Sequence, residues 1–140
     1  MTDSTLLHDF VRHSAERTPD AIALTYGQKS LSFAALQNEI DQFAHGLIAL
    51  GLQRGERVAI YLEKRFETVV ASFGAPAAGG VFVPLNPILK ADQVGYIMRD
   101  CNVRVLVTSP DRLALLQEML PACHDMRHVA VLDAGGPPPA

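Results

Sequence analysis

A chain of 140 residues with 49% hydrophobic and 19% charged residues can bury the core of one ordinary globular domain, and it is too apolar to be disordered throughout. Its formal charge of -3 comes from 12 basic and 15 acidic residues that are interspersed, so no basic block exists to neutralise a row of phosphates and composition gives nucleic-acid binding no support. Met1 to Thr5 lack the positive n-region and apolar h-region of a secretory signal, which makes the cytoplasm the expected compartment.

Leu6, Leu7, Phe10 and Val11 follow helical spacing, with Ser4 or Thr5 available as N-cap, and Thr18-Pro19-Asp20 stops that helix. Residues 21–26 and 30–32 flank Gly27-Gln28 and predict a short hairpin in which Gly27 supplies a positive φ. Leu36, Ile40, Phe43, Leu47 and Leu50 recur at intervals of three and four residues, the stripe of a helix packed on a sheet. Ser32 is its expected N-cap, with Ala35 leaving only half a capping box, and Gly51 is its expected C′ stop.

From Val58 onward the pattern becomes a regular alternation. Val58-Ala59-Ile60-Tyr61-Leu62 is the apolar run of a strand covered on both faces. A helix through Phe66, Val69, Val70 and Phe73 then leads into Ala78-Gly79-Gly80-Val81-Phe82-Val83-Pro84-Leu85-Asn86-Pro87, which reads as a helix end, a buried strand and a rigid exit. Pro76 lacks an amide proton and clashes with the carbonyl four residues back, so this helix is expected to kink or end early. A helix through Val94, Ile97, Met98 and Cys101 precedes the strand Val103–Val107. Ser109-Pro110-Asp111 starts another helix as N-cap, N1 proline and acidic N2, with Leu113, Leu116 and Leu120 on its apolar face, and Val129–Leu132 closes the series. The fold class is therefore α/β, a parallel sheet of four strands with flanking helices plus an N-terminal β-hairpin.

Thr68 to Leu89 contain no formally charged residue, but glycines and prolines interrupt the stretch so often that core helix plus core strand is preferred to a membrane span. Residues 1–133 are expected to form the α/β unit and residues 134–140, Gly/Pro-rich, a mobile tail.

Open parallel sheets bind ligands beyond the carboxyl ends of their strands, here Glu63-Lys64-Arg65, Leu85-Asn86-Pro87, Thr108-Ser109-Pro110 and Asp133-Ala134-Gly135. No Gly-x-Gly-x-x-Gly or Gly-x-x-x-x-Gly-Lys-Ser/Thr follows the first strand, which disfavours a dinucleotide or P-loop site, and no Gly-x-Ser-x-Gly elbow exists. Lys64 and Arg65 could meet a carboxylate or phosphate, although a solvated position is the plainer reading. Thr108 and Ser109 could hold an anion, against the plainer reading of Ser109 as a helix cap. The carboxylates Asp9, Glu16, Glu39, Asp41, Glu63, Glu67, Asp92 and Asp100 all suit exposed helix faces or ends. Cys101 and Cys123 read as reduced thiols. Of the 5 histidines only His124 and His128 are close, at a spacing that would present two ligands on a helix, but Pro121 before them and a strand pattern after them argue against a metal site. These residues nominate no catalytic, cofactor-binding or metal residue.

Several segments resemble the N-terminal part of adenylate-forming enzymes, the acyl-CoA synthetase, luciferase and peptide-synthetase adenylation superfamily. Thr18-Pro19-Asp20-Ala21-Ile22-Ala23 resembles its early Pro-Asp-x-x-Ala step, and Leu31-Ser32-Phe33-Ala34-Ala35-Leu36 its Leu-Thr-Tyr-x-Glu-Leu helix entry. Gly51 to Ile60 is similar to its Gly-x-x-x-Gly-Asp-x-Val-Ala-Ile turn and strand, and Ala78 to Pro87 to its Ala-Gly to Pro-Leu-Asn-Pro element. Ala35 departs from the usual acidic residue, and Pro76-Ala77 from an apolar residue and lysine. Asn86 favours the acyl-CoA synthetase branch, with fatty acid metabolism as its setting.

The resemblance implies the first subdomain of the acyl-CoA synthetase-like fold. It implies a parent that uses ATP, Mg²⁺ and coenzyme A to turn a carboxylic-acid substrate into an acyl-adenylate and then an acyl-CoA. The family's Ser/Thr/Gly-rich loop ending in lysine, Tyr-Gly-x-Thr-Glu segment, ribose-binding aspartate and C-terminal lysine do not occur between Met1 and Ala140. The fragment alone is thus expected to be inactive and without cofactor. Its expected partners are the remainder of the parent enzyme and, through exposed apolar surface, itself, with no nucleic acid and no membrane span. The alternatives are a stand-alone α/β binding or interaction module without catalysis and a small flavodoxin-like nucleotide binder.

Overall fold

The computed structural model describes residues 7–26, 28–63 and 65–132. The Ser4 or Thr5 cap, Gly27, Lys64, the Asp133-Ala134-Gly135 position and the 134–140 tail lie outside them.

Helix α1 (Leu7–Arg17) ends where Thr18 N donates back to Ser14 O at 2.8 Å, just ahead of Pro19. Strands β1 (Ile22–Tyr26) and β2 (Lys29–Ser32) pair antiparallel, with Tyr26 opposite Lys29, and form the expected hairpin. Ser32 then caps α2 (Phe33–Ala49), its Oγ accepting from Ala35 N at 3.1 Å. Leu36, Ile40, Ala44 and Leu47 are the buried stripe of α2, whereas Leu50, expected to extend it, is the C-cap and stands exposed.

Gly51 has φ 94, and its N–H donates to Ile48 O while Leu52 N–H donates to Leu47 O, the two bonds of a Schellman motif that also presses Leu52 against Leu47 in the core. The same device ends α3 (Phe66–Ala77): Gly79 has φ 88 and bonds Pro76 O, and Gly80 N–H bonds Ala75 O. Pro76 therefore does not end its helix early. The donor it lacks falls in the last turn, where the carbonyls of Gly74, Ala75 and Pro76 are collected by the amides of Ala78 to Gly80.

Strands β3 (Arg57–Tyr61), β4 (Val81–Pro84), β5 (Val103–Thr108) and β6 (His128–Val131) form a parallel sheet in the order β4-β3-β5-β6. Alternation divides β3 between two cores. Val58 and Ile60 pack with Leu47, Ala71 and Ala75 under α2 and α3, and Ala59 and Tyr61 pack with Val94, Met98 and Leu116 under α4 (Ala91–Asp100) and α5 (Pro110–Leu116). A third cluster of Val11, Leu36, Ile40 and Val70 ties α1, α2 and α3 together beside the hairpin.

Three further expectations change. β4 is an edge strand, with Val81 and Pro84 exposed, and not a buried one, because Pro84 offers no ladder donor and is tolerated only where one side faces no strand. Helix α5 stops at Leu116, so Leu120 lies in a separate 3-10 turn (Leu120–Ala122). Ser109 occupies the N-cap position of α5 by its backbone, but its side chain makes no cap hydrogen bond. The uncharged stretch divides between α3 and β4, and no helix among the described residues is long and apolar enough to cross a membrane.

Candidate functional site

The chain runs from β3 outward to β4, then back across β3 to β5, so its direction through the sheet reverses between β3 and β5. Open α/β sheets hold ligands in the crevice outside the carboxyl ends at such a reversal. Here that crevice is bordered by Tyr61 at the end of β3 with Glu63 beyond it, and by Thr108 at the end of β5 with Ser109 beyond it.

Arg112, in the first turn of α5, fills it. Its Nε donates to Glu63 Oε2 at 3.0 Å, its Nη1 donates to Pro87 O at 2.9 Å, and its guanidinium carbon lies 5.0 Å from the Tyr61 ring centroid. Tyr61 is buried and its hydroxyl donates to Leu89 O at 2.7 Å, so Arg112 and Tyr61 together hold the segment after β4 against the ends of β3 and β5. Thr108 Oγ1 donates to Tyr61 O at 2.8 Å beneath them, and Thr68 Oγ1 donates to Glu63 O.

A second arginine continues the lattice. Arg65 is 8% exposed, contrary to the solvated position expected of it, and grips Glu67 through two bonds of 3.1 and 3.2 Å while its Nη1 reaches Glu63 Oε1 at 3.3 Å. A hydrogen bond from its own backbone amide, and then the Arg112 guanidinium, hold the Glu63 carboxyl below the usual carboxylate range. For Glu67 burial pushes upward, yet hydrogen bonds from Arg65 win and its carboxyl too is held low. The bond to Glu67 raises Arg65 in return, against the cost of its burial.

Two carboxylates and two guanidiniums thus neutralise one another at the carboxyl edge. This donor set does not fit a triphosphate or its Mg²⁺, because both arginines are already engaged by carboxylates. Among the described residues no group of three or more His, Cys, Asp or Glu is arranged around a metal ion. His124 sits in a turn and His128 begins β6, so the pair never shares a helix face. Both thiols are free.

Sequence reasoning singles out Glu63 and Arg65 as strand-end residues but leaves Glu63 and Glu67 among the exposed carboxylates and does not reach Arg112. The available signal is the pair of glutamates flanking Arg65 at i±2; Arg112 carries none, since its contact is made only by the fold. Asn86 serves the turn after β4, its Oδ1 accepting from Ile88 N at 3.0 Å, a bond that an aspartate would accept equally. Alongside this edge, residues of β3, α3 and the Pro84–Pro87 segment line a cleft of about 570 Å³.

Comparison with known proteins gives this architecture its place. The sequence matches the family of AMP-binding enzymes over residues 11–140. A linear gramicidin synthase from Brevibacillus parabrevis is 36% identical over 128 residues, which are 91% of this chain and 2% of that protein. The crystal structure of the anthranilate CoA ligase AuaEII in complex with anthranoyl-AMP superposes with a TM-score of 0.85 at 27% identity, over 94% of this chain and 27% of that one. The N-terminal domain of FACL13 from Mycobacterium tuberculosis shares the fold, with a TM-score of 0.82 at 23% identity, over 89% of this chain and 33% of that one. The chain spans only a small part of these relatives, but the match covers nearly all of its own length and the fold agrees, so it belongs to the AMP-binding enzyme family of adenylate-forming synthetases and ligases.

Proposed function

We propose that residues 1–133 are the N-terminal α/β subdomain of an ATP-dependent carboxylate-activating enzyme, with residues 134–140 as its Gly/Pro-rich tail, and that the 140-residue chain alone does not form an acyl-adenylate. The observation that carries this reading is the filled crevice. Glu63, Arg65, Glu67 and Arg112 are paired with one another where an α/β sheet of this order would hold a ligand, so the segment acts as a scaffold and the groups that meet ATP, Mg²⁺ and the carboxylate come from other parts of the parent. The same observation disfavours a flavodoxin-like nucleotide binder, whose crevice would have to be open.

In this reading the acyl group passes to coenzyme A, supported by the likeness to the anthranilate CoA ligase, and the setting is the ATP-containing, reducing cytoplasm, consistent with two free thiols. ATP–pyrophosphate exchange with a panel of carboxylic acids tests both clauses. Exchange is expected from the longer polypeptide that contains these residues and not from the 140-residue chain. Exchange by the short chain would overturn its assignment as a scaffold, and none by the longer one would overturn the enzymatic reading.

A further inference from the structure

Between β4 and α4 the chain crosses the carboxyl edge of the sheet in one short turn, residues 86–89, that keeps its shape from within. Ile88 N donates to Asn86 Oδ1 and Leu89 N to Asn86 O, both at 3.0 Å, and Pro87 has no amide to place. The two ends of the turn are fixed. Leu85 is buried, with its amide on Ile60 O at 2.9 Å, and Lys90 caps α4 by its backbone, its amide donating to Gln93 Oε1 at 2.9 Å.

Little holds the turn down between those ends. Among the described residues two hydrogen bonds cross from it to the rest of the fold: Arg112 Nη1 donates to Pro87 O at 2.9 Å, and the Tyr61 hydroxyl donates to Leu89 O at 2.7 Å. Ile88 at the tip is 83% exposed and Asn86 is exposed too, which leaves the half-buried Pro87 and Leu89 as its apolar contacts. Neither clasping side chain depends on the turn for its own position. Arg112 keeps Glu63 Oε2 through Nε and lies over the Tyr61 ring, and Tyr61 is fixed by burial in β3. Releasing the turn therefore exchanges two bonds to carbonyls for bonds to water and leaves the Glu63–Arg112 pair, β3 and α4 as they are, an opening of the kind that native proteins make locally.

We propose that residues 86–89 form a strap that swings as a unit about Leu85 and Lys90 and is held closed by Arg112 and Tyr61. On one side the strap lies over the ends of β3 and β5, and on the other Asn86 and Pro87 form a wall of the cleft of about 570 Å³, across from Thr68 and Ser72 of α3. One movement opens the filled crevice, baring a guanidinium N–H and a phenol hydroxyl at the carboxyl edge, and widens the cleft.

Paired nitroxide labels test the strap in the 140-residue chain, with Cys101→Ser and Cys123→Ala removing the native thiols. A label on Ile88→Cys is measured against one on His45→Cys, an exposed position of α2, and His45→Cys paired with Tyr96→Cys, on α2 and α4, is the control. Distances are read in frozen solution, so populations are seen whatever the rate of opening. The parent sequence is expected to give one dominant Ile88–His45 distance. Tyr61→Phe removes the hydroxyl and keeps the ring, and Arg112→Lys cannot reach Glu63 and Pro87 O at once; each is expected to raise the population at displaced distances at least about fivefold while the control distance stays fixed. A shift in one variant alone supports the strap with that residue as its main clasp. Unchanged Ile88–His45 distributions in both variants would overturn the proposal, and so would a control distance that broadens in step with them, since that is general loosening and not a swing.

Discussion

Arg112 Nε donates to Glu63 Oε2 at 3.0 Å, which ties the first turn of α5 to the residue beyond β3 although 49 positions separate them in sequence. The same guanidinium also holds Pro87 O and covers the Tyr61 ring. Arg112→Ala is expected to cost about 1–2 kcal/mol, seen as a lower urea midpoint, because a carbonyl and an aromatic face lose their partner. Glu63→Gln weakens the pairs with both Arg112 and Arg65, but at a carboxylate that is itself exposed, and should cost less than about 1 kcal/mol. The opposite ranking would mean that the ion pair outweighs the packing.

Glu63 and Glu67 both have carboxyls held below their ordinary value of 4.5, Glu63 foremost by its own backbone amide and Glu67 by Arg65 against its burial. A group depressed in the folded state contributes stability that is complete above its unfolded pKa and is lost as pH falls through the folded value. The contribution should therefore be constant at neutral pH and decline below about pH 5. Unfolding curves for Glu67→Gln against the parent sequence should converge as pH falls below the ordinary carboxylate range and through the lowered folded-state value; a gap that stays constant would place the stabilisation in packing rather than charge.

Gly79 and Gly80 serve different purposes at the end of α3. A Cβ on Gly79 would meet nothing closer than 3.8 Å, so Gly79→Ala costs only the strain of its φ of 88, about 1 kcal/mol. A Cβ on Gly80 would stand 3.1 Å from Glu56 O and 3.2 Å from Ala75 O, backbone atoms fixed by the cap and the strand. Thermal unfolding should show Gly80→Ala to be the more damaging of the two, by about 1 kcal/mol or more.

Thr108 is fully buried and its hydroxyl satisfies Tyr61 O at 2.8 Å. Thr108→Val keeps the shape and removes the donor, which should cost about 1–2 kcal/mol by leaving a buried carbonyl with one partner fewer. Thr108→Ser keeps the bond and loses one methyl, about 1 kcal/mol. Chemical denaturation of the two variants ranks hydrogen bond against methyl at this position.

The edge position of β4 is legible in part. Val-Phe-Val has strong β propensity wherever it stands, which favours a buried strand, while Pro84 within the run is the mark of an edge. Pro76 misleads in the other direction: its missing donor suggests an early stop, and only the amides of Ala78 to Gly80 show why the helix tolerates it. The apolar periodicity reports α2 accurately up to Leu47, then overruns into Leu50, because periodicity does not register the cap that Gly51 imposes.

By itself the sequence determined what local physics controls. Helices are set by stripes such as Leu36, Ile40 and Leu47, left-handed stops by Gly51 and Gly79, strands by β-branched runs, and the parallel arrangement by their alternation, since each depends on residues within one or two turns of one another. Motif order along the chain also marked the family. The tertiary structure alone decided which strand takes the edge, that Arg65 is buried between two glutamates, and that Arg112 closes the β3/β5 crevice. Those outcomes depend on groups brought together across the sheet, where burial turns charges that read as solvated into fixed partners, and no spacing in the chain encodes that.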